Sequence, residues 1–237
     1  MANRGKMGKG YFITGTSTGV GKTLVSRALL HAFGARNNTA VGMKPVAVGC
    51  ENGQYMDVEL LLAASTVIAP REQVNPYALA PPIAPHIAAG QAGITIDMTT
   101  ICKACFELQK KADLVIVEGT GGFLVPLNEY QDGSDMARAL GFPVILVVGM
   151  QLGCLNHALL TAKVVRGTGL QLAGWVANRI DPQMIAFDEN ILTLKQRLNC
   201  PLVGVLPFEQ NIDAKKLSLL LDIAKLERST HMNADRM

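Results

Sequence analysis

The segment that most constrains the fold is Gly15-Thr-Ser-Thr-Gly-Val-Gly-Lys-Thr23. An apolar run at 11–14 precedes it, and a stripe of apolar residues at helical spacing over 22–34 follows it. A glycine-rich turn between a strand and a helix lets backbone N–H groups converge on phosphate oxygens, and the helix N-terminus adds positive potential. The sequence therefore predicts a P-loop. Five residues separate Gly15 from Gly21, the glycine before Lys22, whereas about four residues separate these two glycines in the usual motif.

Short continuous apolar runs alternate with helix-like segments along the rest of the chain. The runs lie at 11–14, 40–46, 113–117, 143–148, 171–177 and 201–206, and the helix-like segments at 22–34, 97–111, 154–167, 184–198 and 214–226. Continuous runs are typical of strands that are covered on both faces, and their alternation with helices predicts a parallel sheet. We expect one α/β domain over 1–237, with a mostly parallel sheet and helices on both faces. Residues 1–9 and 227–237 are expected to fray, and the proline-rich stretch 66–96 to form an ordered loop.

Composition excludes several classes of protein. Apolar residues make up 49% of the chain and charged residues 17%, which excludes a disordered chain. A net charge of +3 without a clustered basic face, together with 5% aromatic residues, predicts no nucleic-acid partner. The uncharged stretch 139–162 is long enough to span a bilayer, but glycines and polar residues at its centre argue against a membrane role.

The five cysteines do not form the pattern of a disulfide framework, because their number is odd and they are widely spaced. Cys102 and Cys105 have the spacing of half a zinc site, but the sequence has no second pair, and they lie inside a helix-like segment. We expect a reducing, cytoplasmic setting.

Several polar side chains fall where strands end, which is the edge at which open parallel sheets bind ligands. Lys44 could be a second cation on a transferred phosphate, although alone it would be an ordinary surface lysine. Glu118 closes an apolar run and predicts a carboxylate for Mg²⁺, as in a Walker-B strand. Asp57 could be a second metal ligand or a helix N-terminal acid. Asn178 could pair with the N7/N6 edge of adenine or be a turn residue.

Five pieces of the chain, in order, resemble the dethiobiotin synthetase family over about residues 10–208. They are Thr14-Gly-Thr-Ser-Thr-Gly-Val-Gly-Lys-Thr23, Lys44-Pro-Val-Ala47, Val74-Asn-Pro-Tyr77 with Pro85-His86, Val117-Glu-Gly-Thr-Gly-Gly122, and Leu152-Gly-Cys-Leu-Asn-His157 with Gly174-Trp-Val-Ala-Asn178. The longer P-loop spacing is also similar to that of the family. The piece Leu152–His157 is the most specific, because other P-loop ATPases have no reason to share it.

The resemblance implies a P-loop NTPase fold and an ATP-dependent ligase that acts in biotin synthesis. The implied reaction is the ATP- and Mg²⁺-dependent carboxylation of 7,8-diaminopelargonic acid by CO₂. A carbamate and then a carbamic–phosphoric anhydride would form before the ureido ring closes, which gives dethiobiotin, ADP and phosphate. The resemblance also implies a homodimer with the diamine at the subunit interface.

The family's site maps onto residues of this chain. The implied catalytic residues are Lys22, Lys44 and Thr18, and the implied metal ligands are Thr23, Asp57 and Glu118. The implied ATP-binding residues are Gly19, Val20, Gly21, Lys22, Thr23, Asn178 and Pro207. The implied substrate-binding residues are Thr18, Lys44, Val48, Gly121, Gly153, Cys154, Leu155 and Asn156. The last four would form a helix N-terminus that holds the substrate carboxylate of the other subunit, so that Cys154 binds and is not a nucleophile.

The chain departs from the family pattern at three positions. Val48 stands where the family often has Ser, Gly19 where some members have Glu, and Asn190 where some have Tyr. These departures affect details of the substrate site.

Two other P-loop classes serve as alternatives. A small-molecule kinase would need a base that positions a hydroxyl group, and often a lid. A partitioning-type switch ATPase would carry an additional lysine early in the P-loop, where Thr16, Ser17 and Thr18 stand, and often a basic amphipathic helix for the membrane. The segment 214–226 instead predicts a helix that packs against the core.

Overall fold

The computed structural model describes residues 7–209 and 213–228. The strands are β1 (Lys9–Gly15), β2 (Ala40–Met43), β3 (Val46–Val48), β4 (Tyr77–Leu79), β5 (Leu114–Glu118), β6 (Val144–Met150), β7 (Leu172–Arg179) and β8 (Leu202–Leu206). The helices are α1 (Lys22–Gly34), α2 (Met56–Ala64), α3 (Arg71–Val74), α4 (Pro85–Gln91), α5 (Met98–Gln109), α6 (Gly133–Leu140), α7 (Cys154–Gly167), α8 (Phe187–Arg197) and α9 (Ala214–Leu217).

Six parallel strands form the main sheet, in the order β2-β5-β1-β6-β7-β8 within the described residues. Successive residues of a strand face opposite sides, so Phe12 packs into one core and Ile13 into the other. Helix α1 covers one side of the sheet, and α5, α7 and α8 cover the other. Both cores need apolar residues from the same strands, which explains the continuous apolar runs. The predicted α/β class with helices on both faces is confirmed.

The run 40–46, predicted as one strand, is divided in the structure. Strand β2 ends at Met43, and β3 pairs with β4 in a separate two-stranded sheet. Pro45 lies between them and has no N–H for a ladder, and the N–H of Lys44 donates to Val74 O instead. The chain therefore leaves the main sheet just before Lys44.

The prediction that 66–96 forms a loop is wrong, because α3, β4 and α4 lie within it. Its prolines stand where a helix tolerates them: Pro70 precedes α3, and Pro85 is at the start of α4. The prolines therefore stand at the beginnings of short helices and do not indicate a stretch without secondary structure.

The single helix predicted over 214–226 is also wrong. Helix α9 is followed by a 3-10 turn, Ser218–Leu220, and the chain becomes extended at Leu221 before a helical turn at 224–228. The N–H of Asp222 donates to Val203 O, a strand-like bond that interrupts the helix. Leu217 and Leu221 are buried, so the expected packing against the core is present.

The remaining boundaries are close to expectation. Asp97 caps α5, because its carboxylate accepts from the N–H groups of Thr99 and Thr100. Helix α8 begins at Phe187, three residues later than predicted at 184. Lys9 already belongs to β1, and most of the two predicted frayed ends, 1–6 and 229–237, lies outside the described residues. In the described ranges, no helix has the length and apolar character needed to cross a bilayer.

Candidate active site

A cavity of about 710 Å³ lies at the carboxyl ends of β1 and β5, where α1 begins. This is the edge at which parallel sheets bind ligands. Ten of the sequence-predicted site residues line it: Thr18, Gly19, Gly21, Lys22, Thr23, Lys44, Val48, Asp57, Glu118 and Gly121. The fold thus brings residues from four separate stretches of the chain to one cavity.

The P-loop keeps its shape because two glycines adopt left-handed backbone conformations. Gly19 has φ 76° and Gly21 has φ 92°, which side chains of other residues rarely permit. Gly21 is the N-cap of α1 and has no side chain to accept from the first-turn N–H groups. These groups and the helix dipole suit an anion such as a phosphate.

Lys22 is buried at the start of α1, and its Nζ donates to Ser17 O at 3.0 Å. Burial, the largest cause, and the positive charge of Lys44 together lower the pKa of Lys22 from 10.5 to about 8, while the charges of Glu118 and Asp57 partly oppose the shift. A phosphate beside this ammonium would favour its charged form.

Thr23, Asp57, Glu118 and Lys44 form one polar cluster. The hydroxyl of Thr23 lies 3.0 Å from Asp57 Oδ1 and 2.9 Å from Glu118 Oε1, and its single proton can serve one of them at a time. Lys44 Nζ lies 2.5 Å from Glu118 Oε1 and 3.0 Å from Asp57 Oδ2. One ammonium therefore bridges the two carboxylates.

The charges within this cluster stabilise one another. Burial alone would lower the pKa of Lys44, but the charges of Glu118 and Asp57 outweigh it and raise this pKa above the ordinary value. Burial would raise the pKa of Asp57, but Lys44, the hydrogen bond from Thr23 and the charge of Lys22 together outweigh burial and lower this pKa below its usual range. Lys44 thus stays a cation and Asp57 an anion at neutral pH.

The same cluster fits Mg²⁺. Glu118 is fully buried, and its second oxygen, Oε2, has no hydrogen-bond partner among the described residues. Mg²⁺ prefers oxygen ligands and commonly takes only one or two protein carboxylates, with water and phosphate completing its shell. The described part of the chain has no group of three or more His, Cys, Asp or Glu that could hold a metal. Two carboxylates and the hydroxyl of Thr23 match this sparser donor set.

Three predicted ATP-binding residues lie outside the cavity lining. Val20 is a buried residue of the P-loop, and its carbonyl accepts from Asn178 Nδ2 at 2.9 Å. Asn178 is itself buried near the end of β7, and Pro207 follows β8, the neighbouring strand. Asn178 thus connects the end of β7 to the P-loop through this hydrogen bond. Adenine recognition by Asn178 and Pro207 stays a prediction.

The predicted carboxylate-binding segment 153–156 lies at the start of α7, also outside this cavity. Gly153 is its N-cap, with φ 93°, and Asn156 is exposed. Cys154 is buried, and burial raises the pKa of its thiol; that Cys154 binds and is not a nucleophile stays a prediction. Asn190 donates to Ala186 O within α8.

Sequence reasoning missed several residues of the cavity lining. Thr120 lies inside a quoted motif and could have been found, because it follows Glu118 closely. The segment 82–85 and Val125 also line the cavity. Pro85 belongs to the quoted piece Pro85-His86, whereas no local pattern marked 82–84 or Val125, whose proximity depends on tertiary packing.

A protein-family model described as an AAA domain matches residues 9–216. A curated relative named ATP-dependent dethiobiotin synthetase BioD, from Nitrosospira multiformis, is 65% identical over 224 residues, which cover 94% of this chain and 99% of the relative. Relatives with the same name from Aromatoleum aromaticum and Xanthomonas oryzae pv. oryzae are each 48% identical. They cover 90% and 86% of this chain, and 96% and 93% of their own lengths.

Solved structures with the same fold include the septum site-determining protein MinD of Pyrococcus horikoshii, complexed with Mg-ADP. It has a TM-score of 0.56 and 16% identity, and the match covers 92% of this chain and 89% of MinD. The signal recognition particle receptor FtsY of Elizabethkingia anophelis has a TM-score of 0.53 and 17% identity, with 90% and 65% covered. At such identities these likenesses show the fold alone.

Proposed function

Because the chain belongs to the ATP-dependent dethiobiotin synthetase family and is an ATP-dependent ligase, we propose that it carboxylates 7,8-diaminopelargonic acid and closes the ureido ring. The products are dethiobiotin, ADP and phosphate. The observation that carries the proposal is the convergence of Lys22 and Lys44 on one cavity with Thr23, Asp57 and Glu118. Two cations and a set of oxygen ligands are what transfer of a phosphoryl group to an anionic acceptor needs.

ATP binds with its phosphates on the P-loop. The first-turn N–H groups of α1 meet the phosphate oxygens, and Lys22 leaves Ser17 O to contact the β- and γ-phosphates. Asn178 supports the loop and offers its remaining amide groups to adenine. Gly19, Val20, Gly21 and Pro207 complete the nucleotide site.

Thr23, Asp57 and Glu118 would hold Mg²⁺, which would neutralise phosphate charge when bound. Glu118 Oε2, buried and without a partner, is the oxygen most available for this role. Lys44 lies between the two carboxylates and lines the same cavity.

The chemistry begins when one amine of the substrate attacks CO₂ and loses a proton, which gives a carbamate. A carbamate oxygen attacks the γ-phosphorus, and the bond to the ADP oxygen breaks. The second amine attacks the carbon of the resulting anhydride, the C–O bond to phosphate breaks, and the ring closes. Lys22 and Lys44 offset the negative charge of the carbamate and the transferred phosphoryl group, and Thr18, Val48 and Gly121 line the diamine site.

A homodimer completes the substrate site in this proposal. The start of α7 in one subunit holds the carboxylate of a diamine bound in the other, through the N–H groups at 153–156. The exposure of Gly153 and Asn156 in the single chain supports this arrangement, because both are accessible to a partner subunit.

Phosphate release from Mg·ATP and bicarbonate, measured with and without 7,8-diaminopelargonic acid, tests the proposed reaction. We expect release only with the diamine, together with a product of the mass of dethiobiotin. Phosphate release without the diamine would contradict the proposal and favour a switch ATPase. Transfer of phosphate to the diamine without ring closure would indicate a kinase.

A further inference from the structure

Lys44 has an unusual location for a residue whose ammonium must be placed accurately. It lies in the two-residue connection between β2 and β3, where the chain passes from the main sheet to the two-stranded sheet. Pro45, beside it, has no N–H to join a ladder. The sheets therefore do not fix this connection by themselves, and other contacts must do so.

Two backbone hydrogen bonds and one side chain bracket the connection. Lys44 N donates to Val74 O at 2.8 Å, and Tyr77 N donates to Pro45 O at 3.0 Å. Asn75 lies between these bonds, and its Nδ2 donates to both Lys44 O at 2.7 Å and Tyr77 O at 2.9 Å. Both amide hydrogens of Asn75 are thus used on backbone carbonyls, one of which is that of Lys44.

Asn75 has a further property that packing alone does not explain. Its residue is only 6% exposed, yet its Oδ1 is buried without a partner among the described residues. A buried acceptor without a partner costs about 1–3 kcal/mol, so a residue selected only for stability would not be expected here. The two hydrogen bonds that Asn75 donates, to Lys44 O and Tyr77 O, offset this cost.

We propose that Asn75 is a positioning residue for Lys44. By holding the carbonyl of Lys44, the Asn75 amide fixes the backbone from which the lysine side chain extends to Glu118 and Asp57. Thr120 holds the other side of the connection through a hydrogen bond from its hydroxyl to Val46 O. The inference rests on the proposed function, in which the Lys44 ammonium stabilises the carbamate and phosphoryl group.

Asn75→Asp tests the proposal, because it keeps the side-chain shape and removes both donors. Asn128→Asp is the matched control: its Nδ2 also donates to a backbone carbonyl, Ile96 O, at 2.9 Å, outside the active-site cavity. We expect kcat to fall about 10- to 100-fold in Asn75→Asp, since a displacement near 1 Å can cost about 100-fold. The Kd of ATP should stay within about threefold, because the P-loop is untouched, and the control should keep its kcat.

A second measurement does not depend on the reaction. The ¹⁵Nζ resonance of Lys44, assigned by its loss in Lys44→Arg, should move in Asn75→Asp and stay in place in Asn128→Asp. The same movement is expected in Asn75→Ser, which adds no charge, so that the new carboxylate of Asn75→Asp is ruled out as its cause. If the wild-type protein made no dethiobiotin, the proposed function would fail, while the resonance would still test Asn75.

The proposal is overturned if either the resonance or kcat is unchanged in folded Asn75→Asp. Asn75→Ser serves as a second variant if Asn75→Asp does not fold, with the same two readouts. Failure of both variants to fold would also overturn the positioning role, because Asn75 would then be a structural residue.

Discussion

Helices α1 and α7 begin in nearly the same way. Each follows a central strand, each has a glycine N-cap, and the φ angles of Gly21 and Gly153 are 92° and 93°. Neither helix has an acidic residue in its first turn. Both helix ends are therefore suited to an anion by backbone geometry and dipole alone.

Their surroundings differ. A Cβ on Gly21 would collide with Asn178 Nδ2, whereas a Cβ on Gly153 would meet nothing within 4 Å. The start of α1 faces a cavity that Lys22 lines, whereas Leu152, beside the start of α7, is 96% exposed. The start of α1 thus has its cavity within a single chain. In our proposal, the start of α7 instead meets a ligand that is bound to a partner subunit.

Removing the cation at α1 should have the largest effect. Lys22→Ala is expected to lower dethiobiotin formation about 100- to 1,000-fold, the loss typical of one group that stabilises developing charge. The control is Lys163→Ala, which removes an exposed lysine on α7 and should leave the rate unchanged. Near-normal turnover of Lys22→Ala in a steady-state assay would remove this residue from the mechanism.

The two N-cap glycines offer a matched pair of substitutions. Gly21→Ala places a Cβ in a left-handed backbone conformation and also brings it into collision with Asn178. We expect the unfolding free energy to fall by about 2–3 kcal/mol. Gly153→Ala carries the strain alone, about 1–2 kcal/mol. Urea denaturation measures both losses, and calorimetry should show weaker ATP binding only for Gly21→Ala. Equal losses and equal ATP affinities would mean that the surroundings of the two glycines do not matter.

The stability of the ligand-free protein should depend on pH through Lys22. Its pKa is about 8 in the folded protein, against 10.5 for an ordinary lysine, so the unfolded chain holds more protons between these pH values. Unfolding free energy should therefore rise with pH in this window, by about 1.4 kcal/mol per pH unit at most. Denaturation of wild type and Lys22→Met at pH 8 and 9.5 isolates this contribution. The same slope in both proteins would show that Lys22 does not titrate there.

The smallest effect is expected at the start of α7. Asn156→Ala keeps the backbone N–H groups and removes one side-chain amide, so it should weaken binding of the diamine about 3- to 10-fold, the value of one ordinary hydrogen bond, and leave the Kd of ATP unchanged. Asn38→Ala, far along the chain from α7, is a control of the same residue type. A loss of ATP affinity in Asn156→Ala would contradict the placement of this helix end.

The two helix starts also show what a sequence can predict. Both follow from local patterns, since a glycine after an apolar run and before a helical stripe is visible in one short stretch. Lys22 and Thr23 could be assigned roles because the P-loop places them by local geometry. Lys44 and Glu118 could be assigned by a general rule, that ligands bind at the carboxyl ends of parallel strands.

Other features depend on contacts between distant residues. The role of Asn75 depends on a hydrogen bond to Lys44, 31 positions away, which no periodicity reveals. The break in the helix predicted over 214–226 arises because Asp222 bonds to Val203, a tertiary contact that overrides helical propensity. Proline content led to a loop prediction for 66–96, since composition does not distinguish a helix start from a turn.

Subunit complementation tests most directly whether the two helix starts act on one substrate from different chains. Lys22→Ala disables the start of α1, and Asn156→Asp places a carboxylate where the substrate's own carboxylate would bind. In an equal mixture of the two variants, each hybrid dimer would have one site with both helix starts intact. We expect about a quarter of wild-type dethiobiotin formation after subunits exchange, from two variants that are each nearly inactive alone. No recovery in dimers shown by native mass spectrometry to be hybrid would contradict the account.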